Sequence, residues 1–116
     1  MTDAFNQRRA ERKRTTVNAV VTDVISGLPI GHLGNLSNTG MLLISAQAPR
    51  SEALYQVSMT LPGSDRMLAQ SQPIEAGIQE QWHESAASSG QVWAGYRIVA
   101  ITDADAARIE SWLAQD

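Results

Sequence analysis

Helical periodicity is confined to one part of this sequence, its end, and this restricts the chain to folds built mainly from strands. Within residues 103–115, Ala106, Ile109, Trp112 and Leu113 recur at the spacing of one helical face. The segments before it are short, rich in β-branched residues or alternating, and mostly separated by turn residues. Several short strands followed by one helix predict a small β-barrel or sandwich with a helix packed on it.

The strand segments can be placed one by one. We predict strands at residues 17–25, 30–35, 41–45, 55–61, 66–71, 74–82 and 92–101. Residues 55–61 show the clearest alternation of apolar and polar side chains. Residues 83–90 are small and polar, which predicts an exposed loop. Thr102 or Asp103 is expected to cap the terminal helix.

Length and composition set further limits. At 116 residues we expect a single domain. Cysteine is absent, so there is no disulfide framework and no thiolate metal site. The first 14 residues lack the apolar core of a secretory signal, and no apolar run is longer than the four residues of 41–44, far fewer than a membrane span needs. We therefore expect a cytoplasmic protein without membrane insertion.

Positive charge is concentrated near the N-terminus. Residues 8–14 hold five of the nine basic residues and one acid, so this segment carries +4 and the remaining residues −7. By itself such a run is typical of a solvated tail. A basic arm on an acidic body also favours a small anionic partner over a nucleic-acid polymer, which the body would repel.

A second polar stretch, Asn-Leu-Ser-Asn-Thr-Gly at residues 35–40, predicts a tight turn before the apolar run at 41–44. Asn and Ser side chains bond their own backbone in such turns, and Gly40 is expected there because glycine adopts positive φ. The motif has the spacing N-x-S-x-x-G. It lies downstream of Arg8 and Arg12, which are spaced R-x-x-x-R.

The sequence contains no recognisable catalytic arrangement. His32 and His83 are the two histidines, they are far apart in sequence, and no cysteine accompanies them. Ser37 does not lie in a G-x-S-x-G motif, and neither glycine-rich phosphate-binding motif is present. We therefore expect a binding protein that is not an enzyme and has no metal or cofactor.

The R-x-x-x-R and N-x-S-x-x-G motifs, in this order and with strands between and after them, resemble the PilZ domain, a bacterial receptor for cyclic di-GMP. The resemblance covers about residues 7–115. It implies a mostly β fold: a six-stranded antiparallel β-barrel, one C-terminal α-helix, and a flexible basic N-terminal arm that folds over the ligand. The corresponding divisions are 1–14 for the arm, 15–101 for the barrel and 102–116 for the helix.

The resemblance also implies a ligand site. The arginines would neutralise phosphate and stack on guanine, Asn35 and Ser37 would read a guanine edge, and Gly40 would permit the turn and let ligand and backbone approach closely. Trp82 either stacks on guanine, as a tryptophan does in some members, or belongs to the core at the barrel rim. A second register of the arm would pair Arg9 with Lys13. The predicted ligand-binding residues are Arg8, Arg9, Arg12, Asn35, Ser37, Gly40 and Trp82.

The function that follows is a cyclic di-GMP receptor and adaptor, which passes the signal to a separate effector protein. One alternative is a ligand-independent PilZ-like module for protein–protein interaction. Another is a nucleic-acid binder with a basic arm, which would need aromatic residues on an exposed sheet face.

Overall fold

The computed structural model describes residues 13–14, 19–61, 73–86 and 90–114. They form strands and one helix in the following order: β1 (Lys13–Arg14), β2 (Val20–Asp23), β3 (Pro29–Leu36), β4 (Gly40–Ser45), β5 (Leu54–Met59), β6 (Ile74–Ser85), β7 (Val92–Ile101) and α1 (Asp103–Leu113).

Six strands close into an antiparallel barrel. Around the ring the order is β2, β5, β6, β7, β4 and β3, and the pairing of β3 with β2 completes the circle. β1 lies outside the ring and pairs with the end of β3, where Lys13 is opposite Leu36 and Arg14 is opposite Asn35. The predicted six-stranded barrel with a C-terminal helix is therefore confirmed.

Apolar side chains from every strand of the ring fill the barrel. The residues with 3% or less of their surface exposed include Val21, Leu33, Leu36, Leu43, Val57 and Ile78. Burial of such side chains is the main stabilising contribution in a domain of this size.

The terminal helix α1 adds Ile109 and Trp112 to the same apolar cluster. Its start is capped as predicted, because the Thr102 hydroxyl accepts a hydrogen bond from the backbone N–H of Asp105 at 3.1 Å. In the described part of the chain, no helix is long and apolar enough to cross a membrane.

Some predicted bounds differ from the structure. β6 runs on to Ser85 and pairs with β7, so the prediction of a loop is wrong for residues 83–85. Cross-strand hydrogen bonds in a long hairpin outweigh the weak strand propensity of these polar residues. β1 lies within the segment predicted as the arm. The predicted strand at 66–71 lies outside the described residues.

Candidate functional site

The N-x-S-x-x-G motif forms the turn between β3 and β4. The backbone N–H of Ser37 donates to the carbonyl oxygen of Gly40 at 2.9 Å. The Ser37 hydroxyl accepts from the backbone N–H groups of Thr39 and Gly40, each at 3.2 Å. Ser37 is 1% exposed, so its side chain shapes the turn. Its predicted contact with a ligand stays a prediction.

Gly40 is needed for a reason other than the one predicted. The described residues with positive φ are Gly27, Gly90 and Glu52, so the expectation of a positive φ at Gly40 is wrong. Instead, a Cβ atom at Gly40 would overlap the carbonyl oxygen of Tyr96 on β7. The absence of a side chain lets the turn approach β7 closely.

A β-bulge in β3 directs Asn35 outward. Leu33 is opposite Leu43 of β4 and Asn35 is opposite Leu42, so Gly34 is the extra residue. An extra residue reverses the alternation of inward and outward side chains. In a regular strand, side chains three residues apart lie on opposite faces, but Leu33 and Leu36 are both buried. Asn35 lies on the outer surface.

A second bulge, in β6, directs Trp82 outward. Glu80 is opposite Tyr96 and Trp82 is opposite Gly95, so Gln81 is the extra residue. Glu80 is 2% exposed, whereas Trp82 is 48% exposed. Regular alternation would have placed Trp82 on the inner face with Glu80. The alternative of a core role for Trp82 is therefore wrong.

Asn35 and Trp82 are the two ends of one row of cross-strand neighbours. Asn35 in β3 is opposite Leu42 in β4, Leu42 is opposite Gly95 in β7, and Gly95 is opposite Trp82 in β6. Gly95 leaves the middle of this row without a side chain. The indole of Trp82 lies over it, since a Cβ atom there would overlap Nε1 and would be 3.0 Å from Cζ2.

A recess of about 590 Å³ opens over this row, and Asn35, Gly40 and Trp82 line it. Two further residues in its wall, Arg97 and the 42% exposed Trp93, were not among the predicted site residues. The signal for them was the alternation of β7, which places both on the same face as Gly95. Among the described residues Arg97 takes part in no ion pair.

A second, larger recess, of about 740 Å³, has Tyr55, His32 and Gln91 in its wall. We place the site in the smaller recess, because none of the described residues that line the larger one is an Arg, a Lys or a predicted site residue. Within the described ranges, no three His, Cys, Asp or Glu side chains are grouped so that they could hold a metal ion.

A buried carboxylate holds the bulge of β6 behind Trp82. Glu80 accepts hydrogen bonds from the backbone N–H of Glu52 and from Nδ1 of His83, both at 2.7 Å. The bond from Glu52, followed by the one from His83, holds the pKa of Glu80 below its usual value, although burial acts in the opposite direction. Glu80 thus ties the bulge to the loop before β5.

Of the predicted site residues, Arg8, Arg9 and Arg12 lie outside the described residues. The backbone of β1 nevertheless shows where the arm meets the barrel, because Arg14 is opposite Asn35 in the row over which the recess opens. Arg12 directly precedes β1.

Comparison with solved structures identifies the architecture. The PilZ domain of YcgR from Escherichia coli, solved with c-di-GMP, superimposes with a TM-score of 0.68 at 11% identity, over 92% of this chain and 88% of that one. The chain has a PilZ-like fold.

Two further solved structures contain the same PilZ-like barrel. The inhibitor of motility MotI/DgrA from Bacillus subtilis matches with a TM-score of 0.72 at 13% identity, over 91% of this chain and 49% of that one. MrkH, a c-di-GMP-dependent transcription regulatory factor, matches with a TM-score of 0.66 at 15% identity, again over 91% and 49%. This chain therefore spans about half the length of these two proteins.

No family model matches the chain, and no curated protein matches it in sequence. At identities of 11% to 15%, the likeness to the three solved structures establishes the PilZ-like fold alone.

Proposed function

We propose that this PilZ-like domain is a receptor for cyclic di-GMP that couples the nucleotide to a separate effector protein. The observation that carries the proposal is the row from Asn35 to Trp82. Two bulges aim these residues, which are far apart in sequence, at one recess. The same recess borders Gly40 of the turn and the cation Arg97.

The chemistry of the recess suits the ligand. Cyclic di-GMP combines two phosphodiester charges with two guanines. The outer face of the Trp82 indole is a platform for a purine, and the Arg97 guanidinium can pair with a phosphate oxygen or stack on a base. The amide of Asn35 supplies both a donor and an acceptor for a base edge or a phosphate.

The basic arm would supply the remaining cations. β1 brings the chain to Asn35 in the wall of the recess, and Arg12 directly precedes β1 in the sequence. On binding, Arg8, Arg9 and Arg12 would close over the nucleotide, neutralise its phosphates and stack on guanine. The closed arm would present a surface that the free protein does not have, and the effector would recognise that surface.

The solved relatives support a regulatory role without defining it for this chain. The YcgR domain was solved with c-di-GMP, and MrkH is described as a c-di-GMP-dependent transcription regulatory factor. MotI/DgrA is described as an inhibitor of motility. A signal-dependent partner protein is the corresponding expectation here.

Isothermal titration with cyclic di-GMP tests the proposal, and separate titrations with GTP and with cyclic GMP serve as controls. The wild-type chain should bind cyclic di-GMP saturably and more tightly than either control. Arg12→Ala removes a charge-assisted contact, so its affinity should fall about ten- to hundredfold. Arg50→Ala is the matched control, because Arg50 is exposed and does not line the recess.

Two results of these titrations would overturn the proposal or a part of it. If a folded wild-type sample gives no heat at millimolar ligand, the receptor function is refuted, and a ligand-independent interaction module takes its place. If binding is strong and Arg12→Ala equals the wild type, the recess binds the nucleotide without the arm, and the closing mechanism is wrong.

A further inference from the structure

Next to the row that ends at Trp82 lies a second row, which contains another exposed tryptophan. Trp93 of β7 is opposite Ile44 of β4 on one side and Glu84 of β6 on the other. Trp93 is 42% exposed. It precedes Gly95 by two residues on the same face of β7, a separation of about 6.6 Å along the strand. Trp93 and Glu84 both line the recess assigned to the nucleotide.

Glu84 is a carboxylate in a place where phosphate is expected. Within the described ranges the ion pairs join His83 to Glu80 and Arg108 to Asp105, so Glu84 has no cationic partner there. A carboxylate near a phosphate is unfavourable unless it accepts hydrogen bonds from another part of the ligand. An aromatic face with a carboxylate beside it is suited to a base that has donors on its edge.

Guanine has such an edge. Its N1–H and N2–H2 groups are adjacent donors, and the two oxygens of one carboxylate can accept from both. Adenine has an acceptor at N1, which would face the carboxylate without a hydrogen bond. A mismatch between donors and acceptors of this kind gives a polar site its selectivity.

We propose that Trp93 and Glu84 form a second base subsite, in which a guanine stacks on Trp93 and Glu84 accepts hydrogen bonds from its N1–H and N2–H2 groups. This deepens the proposed function and rests on it. Trp82 and Asn35 hold one base, and the Trp93–Glu84 pair holds the other and selects guanine over adenine. Asn35, as a neutral amide, accepts from these donors more weakly than a carboxylate does.

The decisive quantity is the ratio of affinities for cyclic di-GMP and cyclic di-AMP, measured by isothermal titration on the full chain. The wild type should prefer cyclic di-GMP, and Glu84→Gln should reduce this preference about tenfold or more. Glu110→Gln is the matched control, since it removes the same charge from an exposed position on α1, away from the recess. Its ratio should equal that of the wild type.

The ratio separates recognition from simple charge repulsion. If Glu84 only repels phosphate, Glu84→Gln will strengthen the binding of both dinucleotides equally and leave the ratio unchanged. That result would overturn the subsite while the receptor function stands. If the wild type binds neither dinucleotide, the proposed function fails, and the subsite fails with it.

Stacking on Trp93 is tested independently. Trp93→Ala should weaken cyclic di-GMP binding about five- to tenfold, within the range of one base–aromatic stack, and Trp93→Phe should restore part of the loss. Val99→Ala is the control, because Val99 is equally exposed on β7 but does not line the recess. Unchanged affinity in Trp93→Ala, in a protein that unfolds at the wild-type temperature, would overturn the stacking role.

Discussion

The indole of Trp82 covers Gly95, and there is no room between them for a β-carbon. Trp82 and Gly95 are directly opposite in β6 and β7. A Cβ atom at position 95 would overlap Nε1 of the indole. The glycine therefore allows the tryptophan to lie against the sheet, where its free face forms part of the wall of the recess.

Gly95→Ala should move the indole and leave the barrel intact. The obstructed atoms belong to a half-exposed side chain, which can rotate away at little cost. We expect the midpoint of urea unfolding to change little, the tryptophan fluorescence to shift, and cyclic di-GMP affinity to fall about tenfold, as for the loss of one base stack. Gly77→Ala, on the outer face of β6 and outside the recess, should leave fluorescence and affinity unchanged.

Gly40→Ala, unlike Gly95→Ala, should destabilise the barrel. Here the new methyl group meets the backbone carbonyl of Tyr96, which cannot move without disturbing the pairing of β4 with β7. We expect a loss of about 1–3 kcal/mol in the free energy of unfolding, the usual range for overpacking. Equilibrium urea unfolding measures this loss. A Gly40→Ala protein as stable as Gly95→Ala would contradict the close approach of turn and strand.

Arg97→Gln should weaken nucleotide binding without unfolding the protein. The Arg97 side chain is exposed and lines the recess, so its loss removes a cation from the site and little from the core. We expect about a tenfold loss of affinity for cyclic di-GMP and a weaker dependence of affinity on salt concentration. Arg50→Gln serves as the control. Equal salt dependence in the two variants would exclude Arg97 from phosphate contact.

Glu80 should make the protein sensitive to acid. Its hydrogen bonds lower its pKa in the folded state below the ordinary value of 4.5, so protonation is easier in the unfolded chain. The stabilisation is therefore present above pH 4.5 and is lost as the pH falls through the lower, folded pKa.

Thermal unfolding between pH 6 and pH 3 measures this contribution. We expect the wild-type melting temperature to fall on acidification, and Glu80→Gln to show a smaller fall from a lower starting value. Glu110→Gln, at an exposed site on α1, should follow the wild type. Parallel curves for the wild type and Glu80→Gln would mean that Glu80 does not supply the acid sensitivity.

Much of the fold was predictable because its signals are local. Alternation along residues 55–61 identified β5 to within two residues at either end, and the strand predicted at 92–101 coincides with β7. The spacing of Ile109 and Trp112, with the cap at Thr102, identified α1. The prediction of a loop was wrong for residues 83–85, because their strand structure comes from pairing with β7 and not from their own strand propensity.

The site was predictable only in part. The turn motif and Trp82 were named from the resemblance, and the structure brings Asn35, Gly40 and Trp82 to one recess. The same reasoning passed over Arg97 and Trp93, whose importance depends on which face of β7 borders the recess. It also gave the wrong reason for Gly40, because a carbonyl contributed by a strand more than fifty residues later cannot be read from the turn itself.

The sequence by itself determined the order of strands and helix, the position of the tight turn, and the separation of a basic arm from an acidic body. These depend on residues within a few positions of one another. The tertiary structure alone decided which side chains share the recess. One extra residue at Gly34 and one at Gln81 reverse the alternation of β3 and β6, and a bulge exists only relative to the strand it pairs with. The outward direction of Asn35 and Trp82 is therefore a property of the closed barrel.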